Sequence, residues 1–321
     1  MTNSLPPALF LMGPTAGGKT AAAVAMAREL PVDIISVDSA QVYRGMDIGT
    51  AKPDAGTLAE APHHLIDIVD PPESFSVGDF RQRAVELMAR ITSAGRVPLL
   101  VGGTMLYFKA LQEGLSELPR ADPAIRCAID SVARDVGWPT MHEELRRRDP
   151  ETAKRVDPHD AHRIQRALEV LHATDRPLSV LVRERRPEAL PYRVIAVSLE
   201  PSHRTALHAR IAERFDKMLG QGLVEEVHDL RSRYHLDAGT PSMRCVGYRQ
   251  AWEHLDGKLS RDELRNQGIA ATRQLAKRQL TWLRSMRTVA RMDCLAADAA
   301  AQVLQHFRRA LEARHNSAMH Q

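Results

Sequence analysis

The sequence predicts an α/β fold, a parallel sheet flanked by helices with a helical insertion domain, on three observations. Short apolar runs of buried-strand length alternate with helical segments through the first third of the chain. A glycine-rich loop lies between the first such run and the first helix. A helical, charged block then intervenes before a further β run returns the chain to its first pattern.

The first strand is read over residues 9–12, and an alanine-rich helix begins at Thr20. Between them Gly13-Pro14-Thr15-Ala16-Gly17-Gly18-Lys19-Thr20 matches the phosphate-loop pattern G-x-x-x-x-G-K-[ST], in the strand–loop–helix setting that pattern requires. The sheet is therefore expected to be P-loop NTPase-like. The glycines let successive backbone N–H groups turn toward an anion, the helix N-terminus adds its positive dipole end, and Lys19 adds a full charge. Thr20 would offer its hydroxyl to a magnesium ion. Such a loop implies a polyphosphate or diphosphate and does not single out ATP.

Further strands are expected over residues 34–37, 65–69 and 98–101, with a helix over 77–94. Asp38-Ser39 and Gly102-Gly103-Thr104 directly follow their strands, at the carboxyl ends where such sheets collect ligands, so three loops converge on one crevice. From Leu118 to about Pro191 the chain is helical, charged and rich in arginine, broken by Asp-Pro or Arg-Pro pairs at 122, 149, 157, 176 and 186. Residues 192–199 then read as another strand. The expected organisation is a first core segment over 1–117, an insertion over 118–190, and core completion with basic helices over 191–321, where residues 313–321 form a frayed tail.

At 321 residues the chain exceeds the usual span of one core. No apolar run approaches the ~18 residues that span a bilayer. Residues 1–7 carry no cationic leader segment, so a cytoplasmic, monomeric protein without a membrane partner is expected. Cys127, Cys245 and Cys294 have no paired spacing and are read as reduced thiols. His63-His64 and the His159, His162 pair lack a companion carboxylate or cysteine motif, and are read as surface or capping residues, not metal ligands.

Asp38 ends an apolar run and so points off a strand terminus into the crevice of Lys19 and Thr20. A carboxylate there can hold magnesium through water, accept a proton from a nucleophile, or cap the following turn. Charge gives a second pointer. The net charge is +4, yet residues 244–291 hold eleven Arg or Lys, Arg287 among them, against Glu253, Asp256, Asp262 and Glu263. A helix expected over 269–286 puts Ile269, Thr272, Ala276 and Leu283 on one stripe, with Arg273, Lys277 and Arg284 beside it. That arrangement suits either a nucleic-acid backbone or a solvated helix face.

The phosphate loop, then Asp38-Ser39-Ala40-Gln41-Val42-Tyr43 continuing through Asp47-Ile48-Gly49-Thr50-Ala51-Lys52-Pro53, then Val101-Gly102-Gly103-Thr104-Met105-Leu106-Tyr107, closely resemble the tRNA dimethylallyltransferases, also called tRNA isopentenyltransferases. The resemblance continues in order through His162-Arg163-Ile164-Gln165-Arg166-Ala167-Leu168-Glu169-Val170, Arg210-Ile211-Ala212-Glu213-Arg214-Phe215, Arg244-Cys245-Val246-Gly247-Tyr248-Arg249 and Lys277-Arg278-Gln279-Leu280-Thr281-Trp282-Leu283-Arg284. It runs to about residue 285.

This resemblance implies transfer of a dimethylallyl group from its diphosphate to the exocyclic amine of the adenine just 3′ of the anticodon. The phosphate loop would then hold dimethylallyl diphosphate with magnesium at Thr20, and Arg214 would supply a second cation, with Arg210 one turn away. Asp38 would take the amine's proton, while Thr104 and Ser39-Ala40-Gln41 hold the base. The base must leave its stack to be reached. The family's signatures also assign the grip on the anticodon stem-loop to residues 244–249 and 277–284 and, from the insertion, to Arg126 and residues 162–166. A small-molecule kinase would share the loop and the strand-end Asp but would not need the basic C-terminal third. A nucleotide-driven RNA-binding protein would use the basic face without transfer chemistry.

Overall fold

The computed structural model describes residues 5–319 except 116, 117, 120, 121, 185–188 and 287, with backbone alone beyond residue 313. The strands are Pro7–Met12 (β1), Val32–Val37 (β2), His63–His64 (β3), Val97–Gly102 (β4), Arg193–Glu200 (β5) and Ala290–Asp293 (β6). They form one sheet in the order β3-β2-β4-β1-β5-β6, every pair parallel. Continuous apolar runs build its centre because helices cover both faces, leaving Ala8 through Met12 fully buried. Leu9 pairs with Leu99 on one side and Ile195 on the other. On one face, Leu9 and Leu11 meet Ala22, Ala23 and Met26 of the Lys19–Glu29 helix, and Val303 and Phe307 of the Ala299–Met319 helix.

The neighbours β1 and β4 send their connections to opposite edges, β1 toward β2 and β4 toward β5. Their following loops therefore part and open a crevice at the carboxyl end of the sheet.

Chain contacts separate two compact units, residues 1–111 with 191–321, and residues 112–190. The smaller begins earlier than the residue 118 expected. Its helices include Pro123–Val136, Trp138–Arg148 and Ala161–Thr174, packed around Ile129, Leu145, Ile164 and Leu168. Two of the Asp-Pro breaks are helix starts, with Asp122 and Asp149 as side-chain caps and Pro123 and Pro150 in the first turn. The Arg186-Pro187 break lies outside the described residues.

Three expectations need correction. No strand forms over 65–69: pairing with β2 ends at His64, because Leu65 and Asp67 take φ of 64° and 55°, and Val69 makes only an isolated parallel bridge to Tyr43. The Asp67 carboxylate is held at 2.6 Å by Lys52, whose side chain is 3% exposed, so a tertiary ion pair overrides the local strand pattern. The basic helix begins at Arg261, ahead of the expected residue 269, on a capping box between Ser260 and Glu263. The segment expected to fray continues the last helix as far as Met319. The edge strand β6 has no counterpart in the sequence reading. Among the described residues no helix is long and apolar enough to cross a membrane.

Candidate active site

The phosphate loop turns between β1 and the Lys19–Glu29 helix through Gly18, whose φ of 74° is the left-handed conformation glycine adopts without strain. No side chain caps this helix, so its first N–H groups stay available to an anion. Lys19 Nζ donates to the Pro14 carbonyl at 2.7 Å, folding back over the loop. Burial pushes its ammonium down to about 8, the Arg214 guanidinium adds to that, and Asp38 opposes it. Arg214 is also lowered by burial and supported by Asp38. Two cations and one carboxylate thus share a crevice that favours an added anion. Arg210 is not part of it: its guanidinium donates to the Cys294 carbonyl at 2.9 Å.

Asp38 leaves the end of β2 in an Asx turn, its Oδ1 accepting from the N–H of Ala40 at 2.8 Å and of Gln41 at 3.3 Å. Thr104 joins this turn to the end of β4, its Oγ1 accepting from Ser39 N at 3.1 Å while its own N–H donates to the Val37 carbonyl at 3.2 Å. Ser36 Oγ donates to Gln41 Oε1 at 3.1 Å, and Gln41 Nε2 donates to the Thr50 carbonyl at 3.4 Å. A polar, pre-set wall results.

One cavity of about 470 Å³ joins these parts. Lys19, Thr20, Asp38 and Arg214 line it together with an apolar side of Ile211, Phe215, Met218 and Leu275, while Leu106, Arg244, Arg278 and Trp282 also contribute to the lining. Ile211, Phe215 and Met218 lie four and three apart on the Arg204–Gln221 helix, which places them with Arg214 on one face, and Leu275 comes from the Arg261–Ser285 helix. Lys109 Nζ lies 5.6 Å from the Trp282 ring centroid. His63, expected to be a surface or capping residue, is half-buried and lines the cavity, with Nδ1 2.6 Å from the Ala61 carbonyl and its pKa lowered by burial. Among the described residues no three His, Cys, Asp or Glu side chains form a metal cluster. All three cysteines are free.

The residues expected to touch RNA divide sharply. Arg244, Arg249, Arg273, Lys277, Arg278, Thr281 and Arg284 are exposed, and Trp282 is half-buried; Arg287 lies outside the described residues. Among the described residues of these two segments, five expected contacts are instead interior. Tyr248 is fully buried and donates its hydroxyl to Glu226, and Leu280 and Leu283 face the core. Gln279 is buried, its Oε1 accepting from Thr15 N at 2.9 Å and its Nε2 donating to the Gly103 carbonyl at 2.9 Å. It spends both ends of its amide clipping the phosphate loop to the loop after β4. Gly247 is buried, whereas Cys245 and Val246 line the cavity.

Within the smaller unit, Ile164 is core, and Arg126 and Arg166 both pair with the buried carboxylate of Glu169 at 3.1 and 3.0 Å. His162 and Arg163 are exposed, and Gln165 donates to Asp130 at 2.7 Å.

Glu226 and the apolar group around Phe215 escaped the sequence reading. Phe215 had a signal in the spacing of Ile211, Phe215 and Met218; Glu226 had none, because the backbone N–H groups it accepts from lie 177 to 179 residues away in sequence.

Comparison with known proteins agrees with this geometry. Residues 41–286 match the family model described as IPP transferase, and residues 7–67 match that described as isopentenyl transferase. The tRNA dimethylallyltransferase of Thiobacillus denitrificans is 58% identical over 310 residues, covering 95% of this chain and 99% of that protein. The solved tRNA isopentenylpyrophosphate transferase of Bacillus halodurans is 35% identical, with a TM-score of 0.70 and 99% of each chain covered. A eukaryotic dimethylallyltransferase acting on tRNA, at 22% identity, shares the fold with a TM-score of 0.80 over 98% of this chain. A phosphate loop, a strand-end carboxylate and a basic helix in this order, over nearly the whole length of such relatives, mark the chain as a member of the IPP transferase family.

Proposed function

We propose that this protein transfers a dimethylallyl group from dimethylallyl diphosphate to the exocyclic amine of the adenine 3′-adjacent to the anticodon in tRNAs, releasing diphosphate. The observation that carries this reading is one cavity in which Lys19 and Arg214 face Asp38 beside an apolar wall. Its volume of about 470 Å³ lies in the range of small-molecule pockets, and cations and an apolar wall side by side match an anionic group carrying a short apolar tail. The amine nitrogen attacks the allylic carbon, the carbon–oxygen bond to the diphosphate breaks, and the amine's proton passes to Asp38. Lys19, Arg214 and the first N–H groups of the following helix hold the departing anion, where charge grows most in the transition state. Ser39, Gln41 and Thr104 orient the adenine.

The exposed Thr20 hydroxyl fits a magnesium ion that takes its remaining ligands from diphosphate oxygens and water, since magnesium commonly uses only one or two protein groups. When bound, it supplies further charge neutralisation on the leaving group. Arg244, Arg249, Lys277, Arg278 and Arg284 grip the phosphates of the anticodon stem-loop. Exposed Arg163 contributes from the smaller unit. The protein is proposed to act as a cytoplasmic monomer.

The test is incubation with bulk tRNA and either dimethylallyl diphosphate or ATP, followed by nucleoside mass analysis. An adenosine heavier by one isoprene unit, formed with the prenyl diphosphate alone, is expected; ATP turnover without such a product overturns the reading. For the basic helix, Arg284→Ala, at an exposed position outside the cavity, is expected to weaken tRNA binding and reduce the salt slope by about one unit, as loss of one phosphate contact requires. The constant for the diphosphate should not move. Titrations of tRNA across a salt series measure this, and an unchanged slope returns the helix to a solvated face.

A further inference from the structure

We propose that Glu226 is a positioning residue for the transfer, anchoring the turn at residues 47–50 that forms the cavity wall beside Gln41; the assignment rests on the function proposed above. From the Leu223–Tyr234 helix, Glu226 Oε2 accepts from the backbone N–H of Asp47 at 3.0 Å and of Ile48 at 2.8 Å. Its Oε1 accepts from Gly49 N at 3.3 Å and from the Tyr248 hydroxyl at 2.5 Å. A carboxylate that takes three successive N–H groups is a charge-assisted anchor for the peptide.

The other side of that turn faces the cavity, which Gly49 and Thr50 line. The Thr50 carbonyl receives Gln41 Nε2, and Gln41 follows the Asx turn of Asp38. A side chain on Gly49 would run into the Tyr248 ring, so ring and carboxylate bracket the same peptide. Lys52 closes the far end of the segment, its Nζ binding the Asp47 and Asp67 carboxylates and the Tyr43 carbonyl. The position of the Gln41 amide relative to Asp38 therefore depends on a carboxylate outside the cavity. An adenine amine held against its proton acceptor tolerates little misplacement, and about 1 Å can cost 100-fold in rate. This assignment also gives buried Tyr248 a task, as the donor that orients Glu226.

Glu226→Ala leaves the three N–H groups without their acceptor, whereas Glu226→Gln keeps an oxygen for Asp47 and Ile48 and an amide that donates to the Tyr248 hydroxyl. In the Ala variant, amide hydrogen exchange at residues 48 and 49 is expected to quicken about tenfold or more, with β1 and β4 unchanged. Single-turnover rate per active site, at saturating tRNA and dimethylallyl diphosphate, is expected to fall about tenfold or more while the diphosphate KM stays within about twofold. Glu226→Gln should recover the rate to within about threefold of wild type. Faster exchange with an unchanged rate per active site overturns the proposal. Should the Ala variant lose its fold, Glu226→Asp, whose shorter side chain draws the carboxylate back from the three N–H groups, carries the test, and faster exchange at residues 48 and 49 with a wild-type rate per active site overturns the proposal. A wild-type protein that transfers no dimethylallyl group overturns the proposed function itself, and with it this role, while the exchange data read the anchor separately.

Discussion

Lys19→Ala is expected to lower the rate of transfer by roughly 100- to 1000-fold, the scale of removing one electrostatic contributor from an active site, or about 3 kcal/mol. Binding of tRNA alone should hardly change, because Lys19 belongs to the phosphate loop and the exposed arginines lie on other elements. The pH dependence gives a second, sharper readout. Burial holds Lys19 down to about 8, so the free protein carries the ammonium below that pH and loses it above. The value of kcat/KM for the diphosphate should therefore fall as pH rises through about 8. At saturation kcat should stay flat further up, since the bound diphosphate anion raises the lysine again. Lys19→Arg should remove the alkaline fall. Stability runs in the opposite sense to activity: the folded pKa lies below the ordinary 10.5, so the unfolded chain binds more protons between about 8 and 10.5, and stability rises with pH across that window. Below it the buried ammonium costs stability, and Lys19→Met should melt higher than wild type while transferring little. A Lys19→Ala protein with near-normal turnover would remove the loop as the diphosphate site.

Why the loop was legible and other parts were not comes down to where the determining partners sit. The phosphate loop and the central strands carry their reasons locally, in the glycines and in apolar runs that both faces of a covered sheet demand. The run at residues 65–69 has the same local appearance, yet the Lys52 ion pair to Asp67 and the positive φ of Leu65 and Asp67 keep it out of the sheet. β6, Ala-Arg-Met-Asp, alternates with Ala290 and Met292 packed against the core and Arg291 exposed, but four residues are the shortest run on which a period of two can be read. The start of the basic helix was legible in Ser260 and Glu263, a capping signal that the apolar periodicity from Ile269 obscured. Within the site, Lys19, Asp38 and Thr104 follow from strand ends. Tyr248 and Gln279 do not, because their neighbours in sequence are basic and exposed while their own side chains turn inward to partners in distant segments.

Asp38→Asn is expected to slow the chemical step by roughly 10²- to 10⁴-fold, the range for loss of a general base, with both substrates still bound. The structure makes this substitution a clean one. Asp38 Oδ1 already accepts from Ala40 N and Gln41 N, and an asparagine oxygen in that place keeps both bonds and the turn that carries Gln41. Only the second oxygen changes, to an NH₂ group that can still donate to the base but cannot take a proton. The competing role, holding magnesium through water, predicts a different response: the requirement for the metal should rise, and excess magnesium should restore much of the rate. Single-turnover measurements across a magnesium series separate the two. A slow rate that magnesium does not repair, with unchanged tRNA and diphosphate constants, is the expected result. Recovery at high magnesium would strip Asp38 of the base role. The Asx turn favours the base, since it fixes the carboxylate in the same unit as Gln41 and, through Thr104 Oγ1 to Ser39 N, against the loop after β4. A group that receives a proton from a bound amine needs that rigidity, whereas a water-mediated contact to a metal tolerates a wider range of positions.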